Sequence, residues 1–264
     1  MAQASANVNV MIKAARRAAR SLLRDFGEVE NLQVSVKGAG DFVSKADTKA
    51  EEIIRDMLME ARPSYGWLGE ESPEIPGKDP TRRWIVDPLD GTTNFLHAIP
   101  HWAISIALEH KGEIVAAVIY DPAKDEIFVA ETGAGAWLND RRLRVSARRE
   151  MQTMLFATGV PFGERPGLTE SLQEIARLMP ISAGIRRQGA AALDLAYVAA
   201  GRCDGFWERA LRPWDIAAGI LLVREAGGLV SRIGSGPAGG NPLPTGDILA
   251  GSPTGHAALA KALT

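Results

Sequence analysis

Trp84-Ile85-Val86-Asp87-Pro88-Leu89-Asp90-Gly91-Thr92-Thr93-Asn94-Phe95 carries three local signals in a row. Trp84 to Val86 read as a short buried strand that delivers Asp87 to its end. Pro88 has no N–H and is expected to stop the ladder there. Asp90 follows after a turn, and Gly91 permits a tight backbone. Thr92 and Thr93 then stand where a helix can start with its first amides pointing outward. Two carboxylates on one turn can share hard cations, and the Leu89 carbonyl lies between them. Amides at a helix start would cradle an anion. The same residues also fit a plain strand–turn–helix junction in which Asp87 and Asp90 serve only as caps.

Two further acidic sites lie outward along the chain. Glu70 sits in Gly69-Glu70-Glu71-Ser72, after a strand-like Tyr65 to Leu68. Asp215 sits in Pro213-Trp214-Asp215, at the head of an apolar helix with Ile216, Ile220, Leu221 and Val223. A first-turn acid is favoured by the helix dipole alone. Three acidic clusters, each at an element end, are also what a multi-metal site requires. Around them, the N-terminal segment repeats apolar residues at helical spacing (Val8, Met11, Ile12, Ala15, Ala19, Leu22, Leu23, Phe26), and a second helix is expected from near Asp47 to before Pro63. Pro73 to Pro80 reads as a surface loop. Ile104 to Glu109 and Ile114 to Tyr120, joined at Lys111-Gly112, form a hairpin that Glu126 to Ala130 extends. From Met154 onward strands and helices alternate. Layered sheets and helices follow, an α+β chain read as a single domain with lobes at about 1–145 and 146–264.

Composition narrows the function class. Of 264 residues 46% are hydrophobic, enough for a large core, and the net charge of −2 offers no strong field for nucleic acid or membrane. Cys203 is the single cysteine, so no internal disulfide or Cys/His zinc spacing exists. It fits a reducing, cytoplasmic setting. No stretch reads as a signal peptide or a membrane span, so no membrane partner is expected.

The ordered set Gly40-Asp41-Phe42-Val43-Ser44-Lys45-Ala46-Asp47, Gly69-Glu70-Glu71-Ser72, Asp87 to Phe95, Pro213 to Gly219 and Glu225-Ala226-Gly227-Gly228 resembles the signatures of the inositol monophosphatase family. Ala192 to Arg202 and Arg212 to Asp215 look closest to its bacterial SuhB-type branch. The resemblance implies a layered αβαβα sandwich, usually dimeric. It implies two or three Mg2+ ions. Glu70, Asp87 and the Leu89 carbonyl would hold the first, and Asp87, Asp90 and Asp215 the second. It implies direct attack by a metal-activated water on a small phosphorylated polyol or sugar, inositol 1-phosphate first, with lithium as inhibitor. Histidinol phosphate, fructose 1,6-bisphosphate and 3′-phosphoadenosine 5′-phosphate are the alternatives. Thr92 and Glu70 would orient the water, Asp47 would support Thr92, and the Gly91 and Thr92 amides would bind phosphate. Asp90, the backbone at Gly189 and Ala191, and Glu208 would meet substrate hydroxyls.

Other features carry less chemistry. His97 and His101 flank Ile99-Pro100, but oxygen-rich magnesium sites rarely use imidazole. Cys203 reads as a packed small residue, the six tryptophans as core, and Lys37 as a solvated surface lysine. Arg141, Arg142, Arg144, Arg148 and Arg149 read as a solvated face, as do Arg186 and Arg187. A regulatory RNA or transcription-machinery partner is the competing reading of that patch.

Overall fold

The structure is a computed structural model that describes residues 4–28, 34–36, 42–164, 166–235 and 239–263. Lys37 and the Gly40-Asp41 part of the N-terminal motif lie outside the described residues.

The chain opens with α1 (Ala6–Phe26), whose first turn is capped by Ser5 accepting the Val8 amide. Its buried face runs through Met11, Ala14, Ala15, Ala18 and Leu22, while Leu23 is exposed. The small alanines let α2 (Lys45–Ala61) lie close across it, after the short strands β1 (Val34–Val36) and β2 (Phe42–Ser44). Then come β3 (Gly66–Gly69), β4 (Arg82–Asp90), α3 (Thr92–Leu96), β5 (Ala103–His110), β6 (Glu113–Asp121), β7 (Glu126–Glu131), β8 (Gly135–Leu138) and β9 (Arg141–Arg142). β3 to β9 form a seven-stranded sheet in chain order, antiparallel except for the parallel β3–β4 pair. The second half supplies β10 (Leu155–Thr158), α4 (Leu168–Leu178), β11 (Gly184–Arg186), α5 (Ala191–Ala199), β12 (Gly205–Glu208), α6 (Pro213–Glu225), β13 (Leu229–Arg232), β14 (Ile248–Gly251) and α7 (Pro253–Ala262). Its five-stranded sheet has the order β11-β10-β12-β14-β13.

The layers follow from which faces are apolar. α1 and α2 cover one face of the large sheet, burying Trp84, Val86 and Ile104. α5 and α6 fill the space between the two sheets with Ile85, Phe206 and Leu222. α6 is buried continuously from Ile216 to Val223, as expected of a helix that is apolar all round. α4 and α7 cover the far face of the small sheet. The result is the αβαβα sandwich that the resemblance implied.

The sequence expectation fails at Pro88. β4 does not stop at Asp87 but continues to Asp90. Between the pairs Asp87↔Ser105 and Asp90↔Ala103, β4 advances one residue more than β5. The extra residue is a bulge, which spares the ladder a donor at proline and re-aims the side chains beyond it. The sequence reading also has no element at β1, β8, β9 or α7.

Candidate active site

The bulge determines how the two aspartates stand. Asp87 is buried, and its Oδ1 accepts the Leu89 N–H at 2.9 Å. Asp90 accepts the Ala192 N–H on Oδ2 at 2.8 Å, which ties the end of β4 to the first turn of α5. Gly91 has φ 92°, and a Cβ there would stand 3.0 Å from the His101 carbonyl, so glycine alone turns this corner without strain. α3 begins at Thr92, and its first amides have no acceptor within their own helix. The Thr92 hydroxyl donates to the Leu89 carbonyl at 3.0 Å and lies 3.4 Å from Asp47 Oδ2.

Ten of the residues singled out in the sequence face one cavity of about 300 Å³: Glu70, Asp87, Leu89, Asp90, Gly91, Thr92, Gly189, Ala191, Glu208 and Asp215. Asp47 stands behind Thr92 on α2 and does not line it. Glu70 follows β3, with its N–H on the Val86 carbonyl at 3.2 Å. Asp215 is in the first turn of α6, where Oδ2 accepts the Arg212 N–H at 2.7 Å. It thus serves as a cap and a cavity acid at once. Glu208, at the end of β12, has its carboxylate directly against Gly159, where a Cβ would overlap it.

The electrostatics suit cations. Burial holds Asp87 well above the usual carboxylate range, and the neighbouring Glu70, Asp90, Asp215 and Asp47 push it further. Asp90 is raised by burial and then by Asp215, against the opposing Ala192 amide. Buried carboxylates are costly unless paired or bound to metal. An all-oxygen set of this kind fits a hard divalent ion. Among the described residues no three of these side chains already close around one ion position. The carboxylates therefore share a cavity rather than a single point.

Several cavity residues went unassigned in the sequence. Asn94 Nδ2 donates to both the His101 and Gln188 carbonyls at 2.8 Å, clamping α3 to the turn before α5. Gln188 in turn donates to the buried Asp194 at 3.0 Å. Burial raises Asp194, with Glu208 adding to it. Arg187, expected with Arg186 on a solvated face, is among the described residues the one basic side chain of the lining. Its guanidinium lies 5.9 Å from the Phe162 ring centroid, and a Cβ on Gly189 would stand 2.9 Å from its Nη1. Only the clamp and the close packing, both non-local, distinguish these residues. His97 and His101 do not line the cavity. Cys203 is buried, and burial pushes its thiol up to about 12. Of the five arginines, Arg148 pairs with Asp204 at 3.5 Å, and all five are exposed.

The Inositol monophosphatase family model matches residues 4–264. The chain belongs to the inositol monophosphatase family. It is therefore a phosphoric monoester hydrolase of that family, and metal dependence is general there. An inositol-1-monophosphatase of Rhizobium meliloti is 59% identical over 248 residues, covering 94% of this chain and 92% of the relative. The Nus factor SuhB of Escherichia coli K12 is 46% identical, covering 93% of this chain and 91% of that one. The crystal structure of the extragenic suppressor protein suhB from Bartonella henselae superposes with a TM-score of 0.94 at 56% identity, over 98% of this chain and 99% of that one. No helix among the described residues is long and apolar enough to cross a membrane.

Proposed function

We propose that this family member hydrolyses inositol 1-phosphate, or a closely similar polyol phosphate, with magnesium as its metal. One observation carries the reading: Glu70, Asp87, Asp90 and Asp215, from three separate parts of the chain, face one cavity beside the Gly91–Thr92 helix start. Two or three Mg2+ ions held by Glu70, Asp87, the Leu89 carbonyl, Asp90 and Asp215 would supply positive charge for the phosphate and acidify a water.

The protein's own groups do the rest by position and electrostatics, which is sufficient for phosphoryl transfer. The Gly91 and Thr92 amides hold the phosphate oxygens. When Thr92 Oγ1 donates to Asp47, its lone pairs remain to accept a hydrogen bond from the attacking water, and as a proton of that water passes to Oγ1 the threonine's own proton passes to the Asp47 carboxylate. Glu70 helps to orient that water. Asp90, the Gly189 and Ala191 backbone and Glu208 receive the polyol hydroxyls. The enzyme works in the cytoplasm as a homodimer in this reading.

Phosphate release from inositol 1-phosphate, histidinol phosphate, fructose 1,6-bisphosphate and 3′-phosphoadenosine 5′-phosphate, with and without magnesium, tests it. Magnesium-dependent turnover fastest on inositol 1-phosphate is expected. Preference for another ester would replace the substrate, and turnover unaffected by chelation would remove the metal. A second reading, a regulatory RNA or transcription-machinery partner, is favoured by the Escherichia coli relative's being named a Nus factor and, for RNA, by the exposed Arg141, Arg142, Arg144 and Arg149. Its sign would be RNA retention on filters that weakens steeply with salt.

A further inference from the structure

α2 presents two buried acids one helical turn apart, Asp47 and Glu51, on the same face. Asp47 reaches toward Thr92. Glu51, at 2% exposure, reaches the loop after β3 and accepts the Glu71 N–H on Oε2 at 2.7 Å. A Cβ on Gly69 would stand 2.5 Å from that same oxygen and 2.7 Å from Trp67 Nε1, so the glycine is what lets the carboxylate and the indole both approach the backbone of this loop.

We propose that Glu51 is a positioning residue for Glu70 and thereby sets how tightly the cavity holds a divalent cation. The proposal rests on the metal reading above. A residue has two soft backbone dihedrals, each controlled by one flanking peptide plane. The plane before Glu70 is pinned by its N–H on the Val86 carbonyl. The plane after it carries the Glu71 N–H, and Glu51 pins that one. With both planes held, the direction in which the Glu70 side chain leaves the backbone is set. Trp67 Nε1, donating to Ser72 Oγ at 3.0 Å, fastens the loop further on but leaves the Glu70–Glu71 plane free to turn. A carboxylate suits this task because a charged acceptor bonds an amide about twice as strongly as a neutral one.

The test is binding of Mn2+, counted by loss of the free-ion EPR signal, to wild type, Glu51→Ala, Glu51→Gln and Gly69→Ala, with folding checked by circular dichroism. Groups that orient metal ligands typically change affinity about 10–100-fold. Glu51→Ala is expected to bind Mn2+ at least about ten-fold more weakly. Glu51→Gln, which retains an acceptor oxygen for the Glu71 amide, should recover part of that loss. Gly69→Ala displaces the carboxylate from the other side and should weaken binding with Glu51 intact, so the proposal stays testable if Glu51→Ala does not fold. A purely structural Glu51 would lower the melting temperature and leave Mn2+ affinity of the folded protein unchanged. Folded Glu51→Gln and Gly69→Ala proteins that both bind Mn2+ like wild type overturn the proposal. A wild type that binds no Mn2+ overturns the metal reading itself, and the proposal with it.

Discussion

Replacing Asp90 by asparagine should make the metal-free protein more stable while removing its activity. The change is isosteric, and an asparagine oxygen can still accept the Ala192 N–H that Asp90 accepts at 2.8 Å. What disappears is a buried negative charge facing Asp215 and Glu208. At an effective dielectric near 20, two unit charges roughly 8 Å apart repel by about 2 kcal/mol. For a chain of this size that corresponds to a rise in melting temperature of about 4–8 °C. The pH dependence has a definite sign. Burial raises the Asp90 pKa in the folded state, so its charged form opposes folding. That cost is absent below the unfolded value and grows as pH rises through the folded one. The stability gap between variant and wild type should therefore open toward alkaline pH and close on acidification. Removal of one preorganised electrostatic group should cut turnover by on the order of 10²–10³-fold. Thermal unfolding in EDTA, repeated with magnesium and across pH, reads the first effect, and phosphate release reads the second. A variant no more stable than wild type in EDTA would refute the charge argument. Near-normal turnover would refute the ligand assignment.

Thr92→Ala should lower kcat far more than it changes KM, because the hydroxyl acts on the water rather than on the polyol; a change confined to KM would contradict that role. Millimolar lithium should inhibit turnover by competing for a weakly held magnesium position, and indifference to it would set this chain apart from typical family members. Cys203, buried with its thiol pushed up to about 12, should resist a thiol reagent at pH 8 in the native protein and react once unfolded, since only the thiolate attacks. Rapid native labelling would contradict its burial.

Most of the sandwich was legible because its elements announce themselves locally. The apolar repeats of α1 and α6 and the hairpin turn at Lys111-Gly112 all work through residues a few positions apart. The family resemblance supplied the layer order, which periodicity alone did not. Pro88 shows where local rules run out. Proline argues for the end of a strand, yet β5 pairs with β4 on both sides of the bulge, and that decision belongs to the partner strand. Asn94 shows the same for the site. Its two bonds join carbonyls that its sequence neighbourhood does not predict.

By itself, the sequence determined which residue types stand at element ends: acids at 70, 87, 90 and 215, glycine at 91 and threonine at 92. These are local facts of capping, turn chemistry and periodicity; the family and the reaction class came from the resemblance of the ordered motifs that contain them. Local chemistry did not place the four acids together: tertiary structure brought them from three segments to one cavity, and it alone decided that Glu51 joins Asp47 on the buried face of α2 and that Arg187 and Asp194 line the same space. The physical reason is that burial and proximity arise only when sheets and helices pack. A carboxylate's cost, its pKa and its partners depend on what the rest of the chain brings within a few ångströms of it.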